Sequence, residues 1–280
     1  MIAAVVVLYN PEKGILKNIC AYIDFVDKVY IIDNSSLSNE NLFKEFPVLH
    51  KLEYFFNNGN LGIAKALNIG CRLAIKSGFK WVLTMDQDSE FKQLKESVKM
   101  DILNCKDKKN ALYYPNYQIE GFIYDKYIKE NGEPIVVMTS GNIINLDVYN
   151  ELNGFEDKLF IDYVDIDYCL KLKQAGYKIV NLPEVILAHE LGKSKHISFF
   201  NFKIIVTNHS SLRRYYITRN RLYVRNKYKN FSTIFNNIER KVFMNDILKI
   251  IFFEQNKFLK IKSVIKGYID YRHNKYGVYN

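Results

Sequence analysis

Three features are scarce in this chain of 280 residues. Cysteine occurs four times, as Cys20, Cys71, Cys105 and Cys169, and never as a C-x-x-C pair. That scatter argues against a zinc knuckle or a disulfide framework and fits reduced thiols in a cytoplasmic protein. Long apolar runs are missing as well: no stretch approaches the roughly 18 residues of a membrane span. The start, Met1 to Pro11, is apolar but lacks a basic leader and a small-residue cleavage site, so it reads as a buried strand rather than a signal peptide. Acid is scarce at one end. Residues 201–280 hold 17 Lys and Arg against 4 Asp and Glu, while the first 200 residues hold 23 against 26. The basic character therefore belongs to the C-terminal region, as in a nucleic-acid binder or a protein resting on an anionic membrane. No RNA-recognition signature, internal repeat or low-complexity linker accompanies it, so no nucleic-acid partner is expected.

What is present is a 48% hydrophobic chain rich in Tyr and Phe, sufficient for one large α/β domain and a smaller appendage. Ile2–Leu8 is a continuous β-branched run, the pattern of a buried parallel strand. A helix is predicted over Lys13–Phe25, then strands over Lys28–Ile32 and Leu52–Phe56. A helix over Ile63–Ser77, closed by Gly78, precedes a strand over Trp81–Met85. This alternation predicts a doubly wound sheet, whose ligands sit beyond the C-terminal strand ends. Asn10, Asp33-Asn34 and Asp86-Gln87-Asp88 fall at such ends. Farther on, Ala111–Pro115, Ile135–Met138, Lys178–Val180 and Val185–Ala188 read as strands, and Thr139–Asn142 as a turn before Ile143. Tyr163–Ala175 reads as a helix stopped by Gly176, and the chain is helical and basic from about His209.

The chemistry centres on Asp86-Gln87-Asp88. Two carboxylates two residues apart at a strand end can share a divalent cation, one directly and one through water or a ribose. In Asn58-x-Asn60-x-Gly62-x-Ala64-x-Ala66-x-Asn68-x-Gly70, small residues line a helix start. They allow close approach by a nucleotide, or equally by the sheet. Asp33 can accept from a pyrimidine imino group, or bond its own turn. Asp165 opens a helix, where a carboxylate also serves as a cap.

Together these motifs resemble glycosyltransferase family 2. The resemblance rests on Val7-Leu8-Tyr9-Asn10-Pro11, Ile32-Asp33-Asn34-Ser35, the spaced run from Asn60 to Gly70, and Met85-Asp86-Gln87-Asp88. It continues through Ser140-Gly141-Asn142, the segment Phe160 to Tyr168, His189, and His209-x-x-x-Arg213-x-Tyr215-Tyr216-x-x-Arg219-Asn220. Within that family the chain most resembles the bacterial rhamnosyltransferases of O-antigen, capsule and cell-wall polysaccharide synthesis. The likeness covers roughly residues 1–225.

The resemblance implies a GT-A type nucleotide-diphospho-sugar transferase fold, a Rossmann-like mixed sheet flanked by helices, with a basic helical extension. The expected division is a catalytic domain over 1–225, with a donor half over 1–110 and an acceptor half over 111–225, followed by the extension over 226–280. It further implies an inverting, metal-dependent transfer. Tyr9, Asn10, Asp33, Asn34, Asn60, Gly62, Ala66, Asp86, Gln87 and Asp88 would meet the donor. Asp88 and His189 would bind Mg²⁺ or Mn²⁺. Asp165 would be the general base, with Asp167 as second candidate or orienting group. Ser140, Gly141, Asn142, Arg213, Tyr215 and Arg219 would meet the acceptor or the diphosphate, although the last three also fit a solvated basic helix face. The first-choice donor is dTDP-L-rhamnose, with UDP-hexoses or a galactofuranosyl donor as the alternative. The acceptor would be a glycan, free or lipid-linked.

A sugar-1-phosphate nucleotidyltransferase would want a Gly-rich loop after the first strand, and Tyr9-Asn10-Pro11-Glu12-Lys13 has no Gly pair. A binding module would not need the carboxylates. In the tail, Ile247, Ile250, Ile251, Phe258, Ile261 and Ile265 recur at helical spacing among lysines. Such a face suits peripheral contact with the inner side of the cell membrane, packing on the catalytic domain, or a second subunit.

Overall fold

The computed structural model describes residues 1–12, 14–119, 122–123, 129–130, 132–188, 195–199 and 202–279. They form two compact units: residues 1–157 with 164–190, and residues 158–163 with 191–280.

The first unit begins with β1 (Ile2–Leu8), α1 (Ile15–Cys20), β2 (Lys28–Asp33), β3 (Leu52–Phe56), α2 (Ile63–Lys76) and β4 (Trp81–Asp86). Then follow β5 (Glu90–Gln93), α3 (Glu96–Asn104), β6 (Asn110–Ile119), β7 (Phe122–Ile123), β8 (Lys129–Glu130) and β9 (Glu133–Pro134). β10 (Asn142–Asn145), α4 (Leu146–Glu151), α5 (Val164–Gln174) and β11 (Lys178–Ala188) complete it. The main sheet runs β3-β2-β1-β4-β10-β6-β11-β5, with β7 beside β6. Strands β3, β2, β1 and β4 are parallel, and β10 enters antiparallel between β4 and β6. Every residue of β1 is buried, as its continuous apolar run requires. Its register sets Leu8 beside Asp33 and Val7 beside Asp86, so three strands end at one edge.

Helix α2 lies close on this sheet. A Cβ added at Gly70 would come within 2.4 Å of the Val5 side chain. The small-residue stripe therefore serves helix–sheet packing. Gly62 caps the helix at φ 87°, a conformation only glycine adopts without strain, and its N–H donates to Asn60 Oδ1 at 2.9 Å.

Three sequence expectations change. The first helix stops at Cys20, because the chain then tightens into three-residue turns that carry Tyr22, Ile23 and Phe25 into the core. Residues 135–138 are not a strand: side chains take the carbonyls of Val137 and Met138, leaving no ladder there. The two late strands are one, β11, with a register shift between Leu182 and Ile186 where Pro183 has no N–H to give.

The second unit contains the hairpin β12 (Lys195–Phe199) and β13 (Phe202–Val206), then α6 (Ser211–Lys227), α7 (Thr233–Phe252) and α8 (Lys257–Arg272). Gly267 lets α8 lie against α6, for a Cβ there would meet the Tyr215 carbonyl oxygen at 2.7 Å. Charge lies inside this unit. Arg214 pairs with Glu254, which also accepts from Lys260 Nζ at 2.8 Å. Arg221 bonds Glu239 at 3.0 Å and Asp246 at 2.8 Å.

Candidate active site

The aligned strand ends are fixed by side chains. Asn10 turns the chain after β1 with φ 47°, and its N–H donates to Ser35 Oγ at 2.7 Å. The Gln87 side chain continues the sheet beyond the last backbone pair. Its Oε1 accepts from Tyr9 N–H at 2.8 Å, and its Nε2 donates to the Tyr9 carbonyl at 3.2 Å. Asn18 Nδ2 donates to the Gln87 carbonyl at 2.8 Å. Gln87 thus holds the loop that carries Asp86 and Asp88.

Asp33 has no exposed surface. Its carboxylate accepts from Ser35 N–H at 2.8 Å, from Asn39 N–H at 3.1 Å, from Asn39 Nδ2 at 2.9 Å and from the Tyr54 hydroxyl. Burial pushes this carboxyl up, but the bonds from Ser35, Tyr54 and Asn39 outweigh it and hold the group below the usual carboxylate range. Asp33 therefore organises the turn after β2. Asn34 is also buried, donating to the Gly62 carbonyl at 3.2 Å and accepting from Asn57 Nδ2 at 2.8 Å. Ala66 has no exposed surface either, so its place is in packing. Tyr9, Asn10, Asn60 and Asp88 are the expected donor residues left exposed.

Asp86 is half-buried and Asp88 exposed. Burial, and then the charge of Asp88, push the Asp86 carboxyl up to about 7. Two uncompensated carboxylates with hard oxygen donors fit a divalent cation that also takes diphosphate oxygens. The described residues contain no group of three or more His, Cys, Asp or Glu suited to a metal, so the pair would need ligands from a diphosphate or from His189. His189 lies outside the described residues.

Asp86 N–H donates to Ser140 Oγ at 3.1 Å, which ties β4 to the 137–142 segment. Tyr117 organises this segment. Its hydroxyl lies 2.8 Å from the Met138 carbonyl, 3.0 Å from the Ser140 carbonyl and 3.1 Å from Asn142 Oδ1. Ser140, Gly141 and Asn142 are buried, so they shape the wall rather than present hydroxyl or amide to a ligand. Gly141, at φ 81°, would with a Cβ strike Leu187 and Pro115 at 2.9 Å. The Val137 carbonyl accepts from Cys169 of α5 at 3.8 Å. The first turn of α5 carries Asp165, half-buried, whose Oδ1 accepts from Ile166 N–H at 2.8 Å. Asp167 is fully buried, with Lys171 Nζ at 4.0 Å. Of the two, Asp165 is the one that keeps exposed surface.

The basic motif of α6 has another use in its own unit. Arg213 forks onto Asp162, with Nη2 at 2.9 Å and Nε at 3.2 Å from Oδ1. Tyr215 donates to Asp270 at 2.8 Å. Arg219 is buried, donating to Tyr215 Oη at 3.2 Å and the Gly277 carbonyl at 2.9 Å, with its guanidinium 5.1 Å from the Tyr216 ring centre. Neither a diphosphate face nor a solvated helix face describes Tyr215 and Arg219: they are core.

Sequence reasoning quoted Asn220 without giving it a role and missed Arg221. Asp162 and Tyr163 both have positive φ, 62° and 69°, a strained pair of non-glycine residues. Asn220 Nδ2 holds the Ile161 and Asp162 carbonyls at 2.8 and 3.2 Å, and Arg221 Nε donates to the Tyr163 hydroxyl at 2.6 Å. The paired Asn-Arg after Arg219 was the available signal.

Residues 3–98 match the family model "Glycosyl transferase family 2". Over 239 residues, 78% of each chain, the sequence is 33% identical to the dTDP-rhamnosyl transferase RfbF of Shigella flexneri. Among solved structures, S. aureus TarS 1-349 in complex with UDP-GlcNAc is 15% identical, with a TM-score of 0.60 over 96% of this chain and 80% of that one. GalNAc-T7 with UDP, GalNAc and Mn²⁺ is also 15% identical, with a TM-score of 0.58; 81% of this chain covers 47% of that one. These two likenesses concern the fold, and the expected GT-A type architecture is borne out.

Proposed function

The chain belongs to glycosyl transferase family 2 and is a glycosyltransferase; we propose that it moves L-rhamnose from dTDP-L-rhamnose, with inversion, onto a glycan hydroxyl in bacterial surface-polysaccharide synthesis. The observation that carries the reading is the Asp86 and Asp88 pair at the aligned parallel strand ends. The name of the Shigella flexneri relative supports the rhamnosyl donor. Asp88, with Asp86 behind it and His189 as a further ligand, would hold Mg²⁺ or Mn²⁺, which when bound screens the charge of a departing diphosphate. Tyr9 and Asn10 offer exposed surface to the nucleotide. Asp165 takes the acceptor hydroxyl proton as the oxygen bonds to the anomeric carbon. The bond from that carbon to the diphosphate oxygen breaks on the opposite face, and dTDP leaves. With the leaving group screened, one carboxylate base suffices.

A thermal-shift panel of dTDP-, UDP- and GDP-sugars, with and without Mn²⁺, tests this reading. Stabilisation by dTDP-L-rhamnose that needs Mn²⁺ and disappears in Asp88→Asn is the expected result. A response confined to UDP-sugars would replace the donor with a hexosyl or galactofuranosyl one. Silence across the panel would remove the donor site from Asp86 and Asp88.

We also place the enzyme in the cytoplasm, in peripheral contact with the inner face of the membrane, where a lipid-linked acceptor would be met. No helix among the described residues is long and apolar enough to cross a membrane. Helices α7 and α8 nonetheless expose Phe252 (64%), Phe258 (82%), Leu259 (55%) and Ile265 (53%). Glu239, Glu254 and Asp270 of the same region are buried, so its outward charge is almost wholly basic. An apolar, cationic surface matches anionic lipid and repels a copy of itself. Co-sedimentation with anionic but not neutral vesicles is expected, and its loss in Phe252→Asp/Phe258→Asp. Concentration-dependent dimers without vesicle binding would make the face a subunit interface instead.

A further inference from the structure

Helix α6 carries five arginines. Four of them are held: Arg213 by Asp162, Arg214 by Glu254, Arg219 by hydroxyl and carbonyl oxygens, and Arg221 by Glu239 and Asp246. Arg225 is the exception. It has no hydrogen-bond or ion-pair partner among the described residues, and its Nε is buried without an acceptor. Burial, then the neighbouring charge of Arg240, pull its pKa below the ordinary arginine value. Glu239, adjacent to Arg240 in sequence, is already engaged by Arg221 and the Tyr163 hydroxyl.

Arg225, Arg240 and Lys229 line one open cavity of about 400 Å³. Neither Lys229 nor Arg240 has a counterion among the described residues. Three like charges line one cavity, and Glu239, the acid whose charge reaches Arg225, is already shared with Arg221 and the Tyr163 hydroxyl, so an entering anion lowers the energy of the cluster. The remaining wall suits the same guest. Asn226 and Asn237 bring amide groups, and Thr233 opens α7, a helix of 20 residues whose positive end therefore lies at the cavity. Planar guanidinium forks and helix N–H groups suit the several oxygens of a tetrahedral oxyanion.

We propose that the cavity between α6 and α7 binds a phosphate or diphosphate group, either free or as the head of a lipid. Neither Asp86, Asp88 nor Asp165 lines it, so the proposal stands whatever the sugar donor proves to be.

The test is calorimetric titration of the full chain with inorganic pyrophosphate in EDTA, which silences any site that needs a divalent ion. Wild type is compared with Arg225→Gln/Arg240→Gln and with Lys106→Gln/Lys108→Gln, a charge-matched control at exposed positions elsewhere. Binding should weaken about tenfold or more in the first variant, the order expected for a lost charge-assisted hydrogen bond, and hold in the second. Without pyrophosphate the first variant should melt no lower than wild type, since a repulsive pair has been removed. If it does melt lower, Arg240→Gln alone, at an exposed side chain, carries the comparison. Vesicles containing phosphatidic acid then identify the source. Vesicle binding lost together with pyrophosphate binding assigns a lipid head, and vesicle binding retained assigns a free phosphate. Equal pyrophosphate affinity in all variants overturns the proposal.

Discussion

The two units treat charge differently. In the sheet unit Asp33 and Asp167 are buried, the Asp86 and Asp88 pair ends a parallel strand with Asp88 exposed, and Asp165 lies half-buried in the first turn of α5. In the helical unit Arg214, Arg221, Glu239, Glu254 and Lys260 are buried, while Phe252 and Phe258 face outward. A sheet edge supplies reactive groups without disturbing what lies beneath it. A helical unit built around ion pairs ties its charges to architecture. In the first unit Asp88 and Asp165 keep exposed surface, whereas most polar groups of the second are committed to folding.

That contrast can be broken by experiment. The largest effect is expected for Asp165→Asn, which should lower turnover by about 10²–10⁴-fold with nucleotide binding retained and the melting temperature unchanged. Full activity would move the base elsewhere. Glu254→Gln should do the reverse. It removes the buried charge shared by Arg214 and Lys260, leaving them Asp246 and Asn208, and should cost about 3 kcal/mol in denaturant titration, while turnover per folded molecule persists. A stable but inactive Glu254→Gln protein would place chemistry in the helical unit after all.

Gly70→Val sharpens the comparison inside the sheet unit. The added carbons press on Val5, so stability should fall by about 1–3 kcal/mol; a loss of donor affinity at unchanged stability would return the small-residue stripe to nucleotide binding. The smallest effect concerns pH. Burial, then Arg213 and Arg214, against weaker pull from Asp162 and Glu254, lower the His209 pKa to about 4. The unfolded chain takes up that proton near the ordinary histidine value of about 6.5 and the folded chain does not. Stability is therefore full above that value and declines as pH falls toward 4. His209→Gln should flatten this part of the melting-temperature profile, and an unchanged slope would assign it to other groups.

Much of the sheet unit was legible. A continuous β-branched run such as Ile2–Leu8 has few alternatives to a buried strand, and polar triplets after such runs must lie at its ends. What escaped was every decision made by a distant partner. Residues 135–138 have strand composition, but Tyr117, Asn142 and Cys169 capture their carbonyls. Asp33 has the composition of a ligand contact, but Asn39 and Tyr54 enclose it. Arg213, Tyr215 and Arg219 looked like one basic face, although their partners Asp162, Asp270 and Gly277 are remote in sequence. A usable signal existed in the scarcity of acid: four acids among 17 bases in residues 201–280 are valuable as internal counterions.

The middle residue of the Asp86-Gln87-Asp88 triplet has a consequence for how such triplets identify a substrate. Both ends of its amide are occupied by the Tyr9 backbone, so a substitution at this position acts on the joint between two strands. Glutamate there would forfeit the donor and add a third negative charge beside the pair. In this chain the glutamine is carpentry, and the identity of the sugar must be written in side chains elsewhere.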